Sequence, residues 1–421
     1  MLSSLLMSKK TLDDWLNSLN QDKIDLGLAR VKQVYQNLNL RKVQTITVAG
    51  TNGKGSTVAM LTALLKHQGL KVGAFTSPHI FIFNERIAIN GNPVDDEAIV
   101  AAFERIDAAK GDVSLSYFEY AFLLSCCVFD MQSVDVQLME VGLGGRLDAV
   151  NVLDADAAII TGIDIDHVDW LGSDLESIGK EKAGILRPGQ VATFGAKKCP
   201  ESVVSHAEAV TCDLQLLNND YQYTTTGDSF DYQDNKVHMA GLNRPNLQGD
   251  WQVQNAAAAI NALMRLGYQL KTTEINKAMN DIKLSGRLET ISEQPLIIAD
   301  VAHNAQSARA LAQWLKDNPI SGQTRAVFSV LKDKQMNTWL PEFDGLIDHW
   351  FVFELQGERA MPMTDMRFEM VEHVDLMSCF KSPKEAYALA KLGTKSEDRL
   401  LVFGSFHVLD AVLSDANKNS S

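Results

Sequence analysis

Gly50-Thr51-Asn52-Gly53-Lys54-Gly55-Ser56 lies between a β-branched run, residues 43–49, and a helical pattern over 54–68. In that pattern Val58, Leu61, Leu64 and Leu65 share one face. Glycines in such a turn let several backbone N–H groups point at one ligand. A helix N-terminus adds partial positive charge. This is chemistry for phosphate, with Lys54 to neutralise oxygens and Ser56 to hold phosphate or Mg²⁺. The standard phosphate-loop spacing is only partly met. Its first glycine falls on Val48, and Gly55 stands where a hydroxyl residue normally follows the lysine.

Four further clusters could do chemistry. Glu140 ends an apolar run and precedes Gly142-Leu143-Gly144-Gly145-Arg146-Leu147-Asp148. A carboxylate at the C-terminal end of a parallel strand points into the ligand crevice, where it suits Mg²⁺ beside a nucleotide. Asp164, Asp166, Asp169 and His167 fall within six residues of chain. They read either as a cation site or as a solvated acidic loop with a helix cap. The stretch from Ser177 to Gly184, with Lys180, Glu181 and Lys182, reads alone as a charged surface helix end stopped by glycine. Asp300, at the tip of an apolar run and three residues before His303, could hold ribose or phosphate, or simply end a strand.

Positioning these groups takes a repeated alternation of strands and helices. Apolar runs at 136–141, 157–163 and 191–194 form one series with 43–49. A second series occupies 296–300, 326–330, 350–353 and 400–403. Near-continuous apolar strands between helices indicate parallel sheets covered on both faces. Residues 218–251, rich in aromatic and threonine residues, read as small antiparallel strands inserted before a helix at 254–266. The expected fold is therefore α/β, with two doubly wound domains. Residues 1–284 would form a P-loop-type ATPase domain with a small β insertion. Residues 285–421 would form a smaller Rossmann-like domain, hinged at Gly286. The polar tail from Ser414 is expected to fray.

Composition narrows the function. The chain has 421 residues, 46% hydrophobic and 22% charged, ordinary for a soluble protein with two or three domains. Asp and Glu number 53 against 39 Lys and Arg, a net charge of −14, which argues against a nucleic-acid binder. No run of about 18 uncharged apolar residues offers a membrane span. The six-residue apolar patch Leu2 to Met7, followed by Lys9 and Lys10, has the wrong order for a secretory signal. Five cysteines, with Cys126 and Cys127 adjacent in an apolar run, read as buried free thiols, and the expected compartment is the cytoplasm.

Taken together, these motifs resemble the bacterial dihydrofolate synthase/folylpolyglutamate synthase family, within the Mur ligase superfamily. The resemblance runs from about residue 15 to 407. It is carried by Ile24-Asp25-Leu26-Gly27-Leu28, Gly50 to Ser56, Ser77-Pro78-His79, Glu140 to Asp148 and Asp166 to Gly172. Glu181-Lys182-Ala183-Gly184, Gly286-Arg287, Asp300 to Asn304 and Gly404-Ser405-Phe406-His407 complete it. Gly55 after Lys54, and Asp166-His167 with Asp169-Trp170-Leu171-Gly172, resemble the folate branch rather than the peptidoglycan branch.

The resemblance implies roles for single residues. Asn52, Gly53, Lys54, Gly55 and Ser56 would cradle ATP phosphates, and Asn255, Arg287 and Asp300 would contact the nucleotide. Ser77, Glu140 and His167 would ligate Mg²⁺, joined by Lys182 after carbamylation by CO₂. Ser18, Leu19, Asn20 and Gln21, Ser116, Tyr117, Phe118 and Glu119, and Leu147, Asp148 and Ala149 would bind dihydropteroate. Without the resemblance, Tyr117 and Phe118 read as core. The stretch from Ser77 to Arg86 resembles a mobile loop that closes over the site.

The implied activity is ATP-dependent ligation of L-glutamate to dihydropteroate and extension of reduced folates, by way of an acyl phosphate. His303 is the candidate proton acceptor, and Lys54 and Lys182 complete the catalytic set. A monomer is implied. The rival readings are a dedicated folylpolyglutamate synthase, a Mur-type ligase acting on a UDP-sugar, and a nucleotide-binding switch.

Overall fold

The computed structural model describes residues 10–19 and 26–418. The first series of strands comprises β1 (Gln44–Ala49), β2 (Val72–Phe75), β3 (Ile87–Ile89), β4 (Asn92–Pro93), β5 (Val136–Glu140), β6 (Ala157–Ile160), β7 (Val191–Phe194) and β8 (Asp213–Leu216). They form one sheet in the order β4-β3-β2-β5-β1-β6-β7-β8. From β2 to β8 every neighbouring pair is parallel, while β3 and β4 add an antiparallel edge.

Side chains of successive residues leave opposite faces of a strand. Ile46, Val48 and Ile159 accordingly enter one apolar cluster, and Ala49, Ala158 and Ile160 enter another. Helices cover both faces. Helix Lys54–His67 and the alanine-rich helix Trp251–Arg265 pack on the Ile46 face, where Ala256 to Ala259 are wholly buried. Helix Tyr117–Met131 lies on the other face.

The insertion expected at 218–251 is a three-stranded antiparallel sheet of β9 (Tyr221–Thr226), β10 (Ser229–Asp234) and β11 (His238–Asn243). The helix that follows starts at Trp251, one turn earlier than its apolar pattern suggested.

The second series comprises β12 (Glu289–Glu293), β13 (Leu296–Asp300), β14 (Thr324–Phe328), β15 (His349–Phe353), β16 (Met377–Phe380) and β17 (Arg399–Phe403). Their order is β12-β13-β17-β14-β15-β16, parallel except for β12. Again two clusters flank the sheet, with Ile298 and Phe328 in one and Ile297 and Val327 in the other. The latter cluster also takes in Ile80 and Phe81, from the loop between β2 and β3.

Some expectations need correcting. Helix Phe406–Lys418 runs through the start of the segment expected to fray. Cys126 and Cys127 are buried, but Cys199 and Cys212 are half-buried and Cys379 is exposed. Among the described residues, no helix is long and apolar enough to cross a membrane.

Candidate active site

Parallel sheets gather ligands at the C-terminal ends of their strands, where neighbouring connections run to opposite faces. Here β1 sits between β5 and β6, and its C-terminal end releases the chain into Gly50 to Ser56. Lys54 begins the following helix, with Gly53 at its N-cap in a left-handed conformation, φ +87°. A Cβ on Gly53 would stand 2.8 Å from the Asn255 side-chain oxygen, so only glycine lets the loop lie against that helix. Lys54 Nζ turns back to donate to the carbonyls of Gly50 (3.0 Å) and Thr51 (3.1 Å). Burial lowers its pKa, against the opposing pull of Glu140. Ser56 is buried behind the loop.

Glu140 ends β5 beside this loop. Burial pushes its carboxyl up to about 7, despite Lys54 and a 3.3 Å hydrogen bond from the Ser77 N–H. Burial also brings the His167 imidazole down to about 4, so it is neutral and able to coordinate. Lys182 departs from the reading of its segment as surface. It lies on helix Leu175–Ala183 but is only 3% exposed, with Nζ donating to the Gly50 carbonyl at 3.0 Å. Helix and phosphate loop pack together there, and burial draws its amine down to about 7.

A hydroxyl, a carboxylate and a neutral imidazole are donors that Mg²⁺ accepts. No group of three or more His, Cys, Asp or Glu side chains placed to hold a metal occurs among the described residues. A lysine whose amine is partly neutral at pH 7 can take up CO₂, which would add a carboxylate to the set.

Two carboxylates of the acidic cluster are engaged by protein side chains. Asp166 accepts Lys334 Nζ at 2.7 Å and the Asn304 amide at 2.9 Å. Asp164 accepts from Arg309 at 2.9 Å. These partners all come from the second sheet and its helices, so the loop after β6 binds the two halves together. Burial alone would raise the Asp166 carboxyl, but Lys334, His167 and His303 hold it well below the usual range.

From the other side, Asp300 ends β13 and accepts the N–H groups of Leu288 (2.8 Å) and Ala302 (2.7 Å). Burial raises its pKa while Arg287 opposes that. The Arg287 guanidinium lies 5.2 Å from the Phe406 ring centroid. His303 Nδ1 is 2.6 Å from the Val301 carbonyl, so Nδ1 carries the proton and Nε2 is free to accept one. Burial holds its pKa near 4. Asn304 and Asn52 exchange two amide hydrogen bonds, each 3.1 Å, across the cleft. Phosphate loop, Ser77, Glu140, His167, Lys182, Asn255, Arg287, Asp300 and His303 thus line one cavity of about 390 Å³.

A second cavity, about 830 Å³, adjoins it and shares Ser77, Pro78, Gly142 and Leu143 with it. Ser116, Tyr117, Phe118, Glu119, Leu147, Asp148 and Ala149 all line this space. The Phe118 ring fits against Gly142, where a Cβ would come within 2.5 Å of it. Glu119 is less free than its type suggested. It accepts the Ser116 N–H in a capping box and pairs with Arg30 at 3.2 Å. Asp148 caps a short turn, and burial pushes it up to about 6.

Ser18 and Leu19 do not line this cavity. Ser18 donates to the Trp15 carbonyl, and Leu19 packs on the first core; Leu26 and Gly27 line the space instead. Asn20 and Gln21 lie outside the described residues. Lys334 and Arg86, both buried at the site, escaped the sequence reading. Lys334 follows β14 in Leu331-Lys332-Asp333-Lys334, a basic strand exit that could have drawn notice.

The Mur ligase middle domain family matches residues 48–263, and the Mur ligase glutamate ligase domain family matches residues 286–406. A dihydrofolate synthase/folylpolyglutamate synthase of Escherichia coli is 37% identical over 95% of this chain and 93% of its own. The chain belongs to the dihydrofolate synthase/folylpolyglutamate synthase family of Mur ligases. The structure of the E. coli family member in complex with DHPP and ADP superposes with a TM-score of 0.92 at 36% identity, covering 98% and 99% of the two chains. A bifunctional family member with Mn, AMPPNP and L-glutamate bound gives 0.90 at 36% identity, covering 97% and 98%. The family's two-unit fold, and the nucleotide and Mn ion bound in these relatives, stand beside the cleft just described.

Proposed function

We propose that this chain joins L-glutamate to dihydropteroate, giving dihydrofolate, and lengthens tetrahydrofolate into polyglutamates, with ATP as co-substrate. The observation that carries the reading is the aromatic-walled cavity of Tyr117 and Phe118 opening into the phosphate-loop cleft. A flat ring system needs such a wall, and its carboxylate must reach the γ-phosphate. The cavity favours this over a nucleotide switch, which needs no acceptor seat.

A carboxylate acylates poorly, so its oxygen first attacks the γ-phosphorus, giving an acyl phosphate and ADP. The glutamate amine then attacks the acyl carbon, phosphate leaves, and the amine loses a proton. The residues assigned to ATP are Asn52, Gly53, Lys54, Gly55, Ser56, Asn255, Arg287 and Asp300, and they would fix the phosphates in line. Ser77, Glu140, His167 and a carbamylated Lys182 would hold Mg²⁺, which supplies charge neutralisation at the transferring phosphoryl group. His303 Nε2 would accept the amine's proton. Water must be excluded while the acyl phosphate lives, and the Asn52–Asn304 and Asp166–Lys334 contacts favour a shut cleft.

On this reading the chain divides at residues 284/285, between the two family matches. It works as a monomer in the cytoplasm. The test is phosphate release from Mg-ATP and L-glutamate with dihydropteroate in one reaction and tetrahydrofolate in another. Release in both is expected. Release with tetrahydrofolate alone would make this a dedicated folylpolyglutamate synthase, and release in neither would end the reading.

A further inference from the structure

Arg86 closes the 3₁₀ turn Phe83–Arg86 at the end of the loop between β2 and β3. It is 7% exposed, yet it lines the larger cavity. Its Nε donates to His79 Nδ1 at 2.7 Å. Its guanidinium carbon stands 5.4 Å from the Tyr117 ring centroid and 5.8 Å from that of Phe83. None of these neighbours supplies negative charge. The neighbouring carboxylate, Glu85, is occupied by the N–H groups of Ile80, Phe81 and Ile82 at 2.7–2.9 Å. Among the described residues no carboxylate forms an ion pair with Arg86. A buried guanidinium keeps its charge, and here its desolvation is offset only by Tyr117 and by carboxylates that do not pair with it directly. Such a position makes sense if an anion arrives with the ligand.

We propose that Arg86 binds the carboxylate of the pteroate-bearing substrate, the group that ATP activates. The inference rests on the reading of this cavity as the pteroate seat. Three observations lead from the seat to that carboxylate. Arg86 stacks on Tyr117, so it stands at the edge of the aromatic wall. It shares the loop between β2 and β3 with Ser77, whose N–H donates to Glu140 at 3.3 Å beside the phosphate loop, so that loop also reaches the reacting end. Ser77 and Pro78, from the same loop, line both cavities and mark the passage between them. A guanidinium there does two things. Its planar fork fixes a carboxylate in one orientation, and its charge offsets the repulsion between that carboxylate and the γ-phosphate. His79 Nδ1 accepts from Nε at 2.7 Å, and the N–H donors not taken by His79 or Tyr117 are left to the substrate.

The experiment compares pteroate with its carboxamide, which keeps both rings and lacks the charge. Equilibrium binding to the wild-type chain with Mg-ADP should favour the carboxylate about tenfold or more. In Arg86→Gln that preference should vanish, the carboxamide binding as before. The KM for dihydropteroate should rise about a hundredfold with that for ATP within about twofold. Arg86→Lys should recover part of the preference. Equal wild-type affinity for carboxylate and carboxamide would overturn the role of Arg86 and leave the pteroate seat standing, whether or not the variants fold. Equal loss of both ligands in Arg86→Gln would likewise reduce Arg86 to a brace for His79 and Tyr117. Failure of the wild type to bind either ligand would overturn the seat itself, and the inference with it.

Discussion

Lys334 Nζ lies 2.7 Å from Asp166 Oδ1, joining residues 168 positions apart from the two sheets. Both side chains are nearly enclosed, at 7% and 10% exposure. Removing one partner of a buried pair strands the other, at about 3–5 kcal/mol. Lys334→Met should therefore lower the melting temperature and slow turnover, while Lys334→Met with Asp166→Asn should recover much of the stability. A double-mutant cycle by thermal denaturation measures this; additive losses would mean that the two charges do not meet in solution.

Three buried histidines should cost stability as pH drops from about 6.5 toward 4, opposed in part by Glu140 and Asp148, whose raised carboxyls gain protons before the unfolded chain does. His79, His167 and His303 each have a folded pKa near 4, because burial disfavours the cation. The unfolded chain takes up protons near 6.5, the folded chain only near 4, so acid favours unfolding over that window. Asp166 acts lower down. Its depressed pKa stabilises the fold above the unfolded carboxylate value of about 3.9, and this is lost as pH falls through the folded value. Thermal melts between pH 7.5 and 4.5 should show the decline, and His303→Asn should flatten it. A slope unchanged in that variant would remove His303 from the account.

Lys182 should carry CO₂. Only the neutral amine reacts, and with its pKa near 7 the reactive fraction shrinks below neutral pH. Activity lost on the acid side should therefore return in part as bicarbonate is raised. Lys182→Ala should be inactive at any bicarbonate level. A carbamate carbon should appear by NMR after labelling wild type with ¹³C-bicarbonate and be absent from Lys182→Ala. Fully active protein that shows a bare amine in electron density would refute the assignment.

Phe118→Ala should raise the KM for dihydropteroate about tenfold or more, since a buried aromatic wall is removed, and should leave that for ATP nearly unchanged. Phe118 also touches Gly142 and packs 5.8 Å from the Phe75 ring centroid. Equal effects on both substrates would return it to a purely structural role. Initial rates at saturating glutamate decide between the two.

Much of this was readable in the chain because it is local. Strand, glycine loop, lysine and helix lie within twenty-five residues, and the geometry of β1 and its helix follows from that order. Glu140 was legible for the same reason, standing at the last residue of an apolar strand. Lys182 was legible only through the family resemblance, because a helix reading Leu-Glu-Ser-Ile-Gly-Lys-Glu-Lys-Ala looks solvated until the phosphate loop is laid over it. Lys334 and Arg86 were missed because their meaning depends on partners or walls distant in sequence. The aspartates around His167 misled in the other direction. Their density suggested a cation, while Asp166 and Asp164 hold Lys334 and Arg309. Ser18 and Leu19 do not line the larger cavity, whereas Leu26 and Gly27, from the segment that follows, do.

The loop between β2 and β3 gives the molecule a rule of release. Ile80 and Phe81, at its tip, are embedded in the apolar cluster beneath the second sheet, and Ile80 packs against Gly286 and its surroundings. When the two halves part, that tip is either torn into water or travels with the half it is rooted in. Arg86 stays with the first sheet, where its carbonyl accepts the Thr76 N–H at 3.0 Å, so only the tip of the loop is rooted in the second half. Parting the halves must therefore either expose the Ile80 and Phe81 side chains or bend the loop between Thr76 and Arg86.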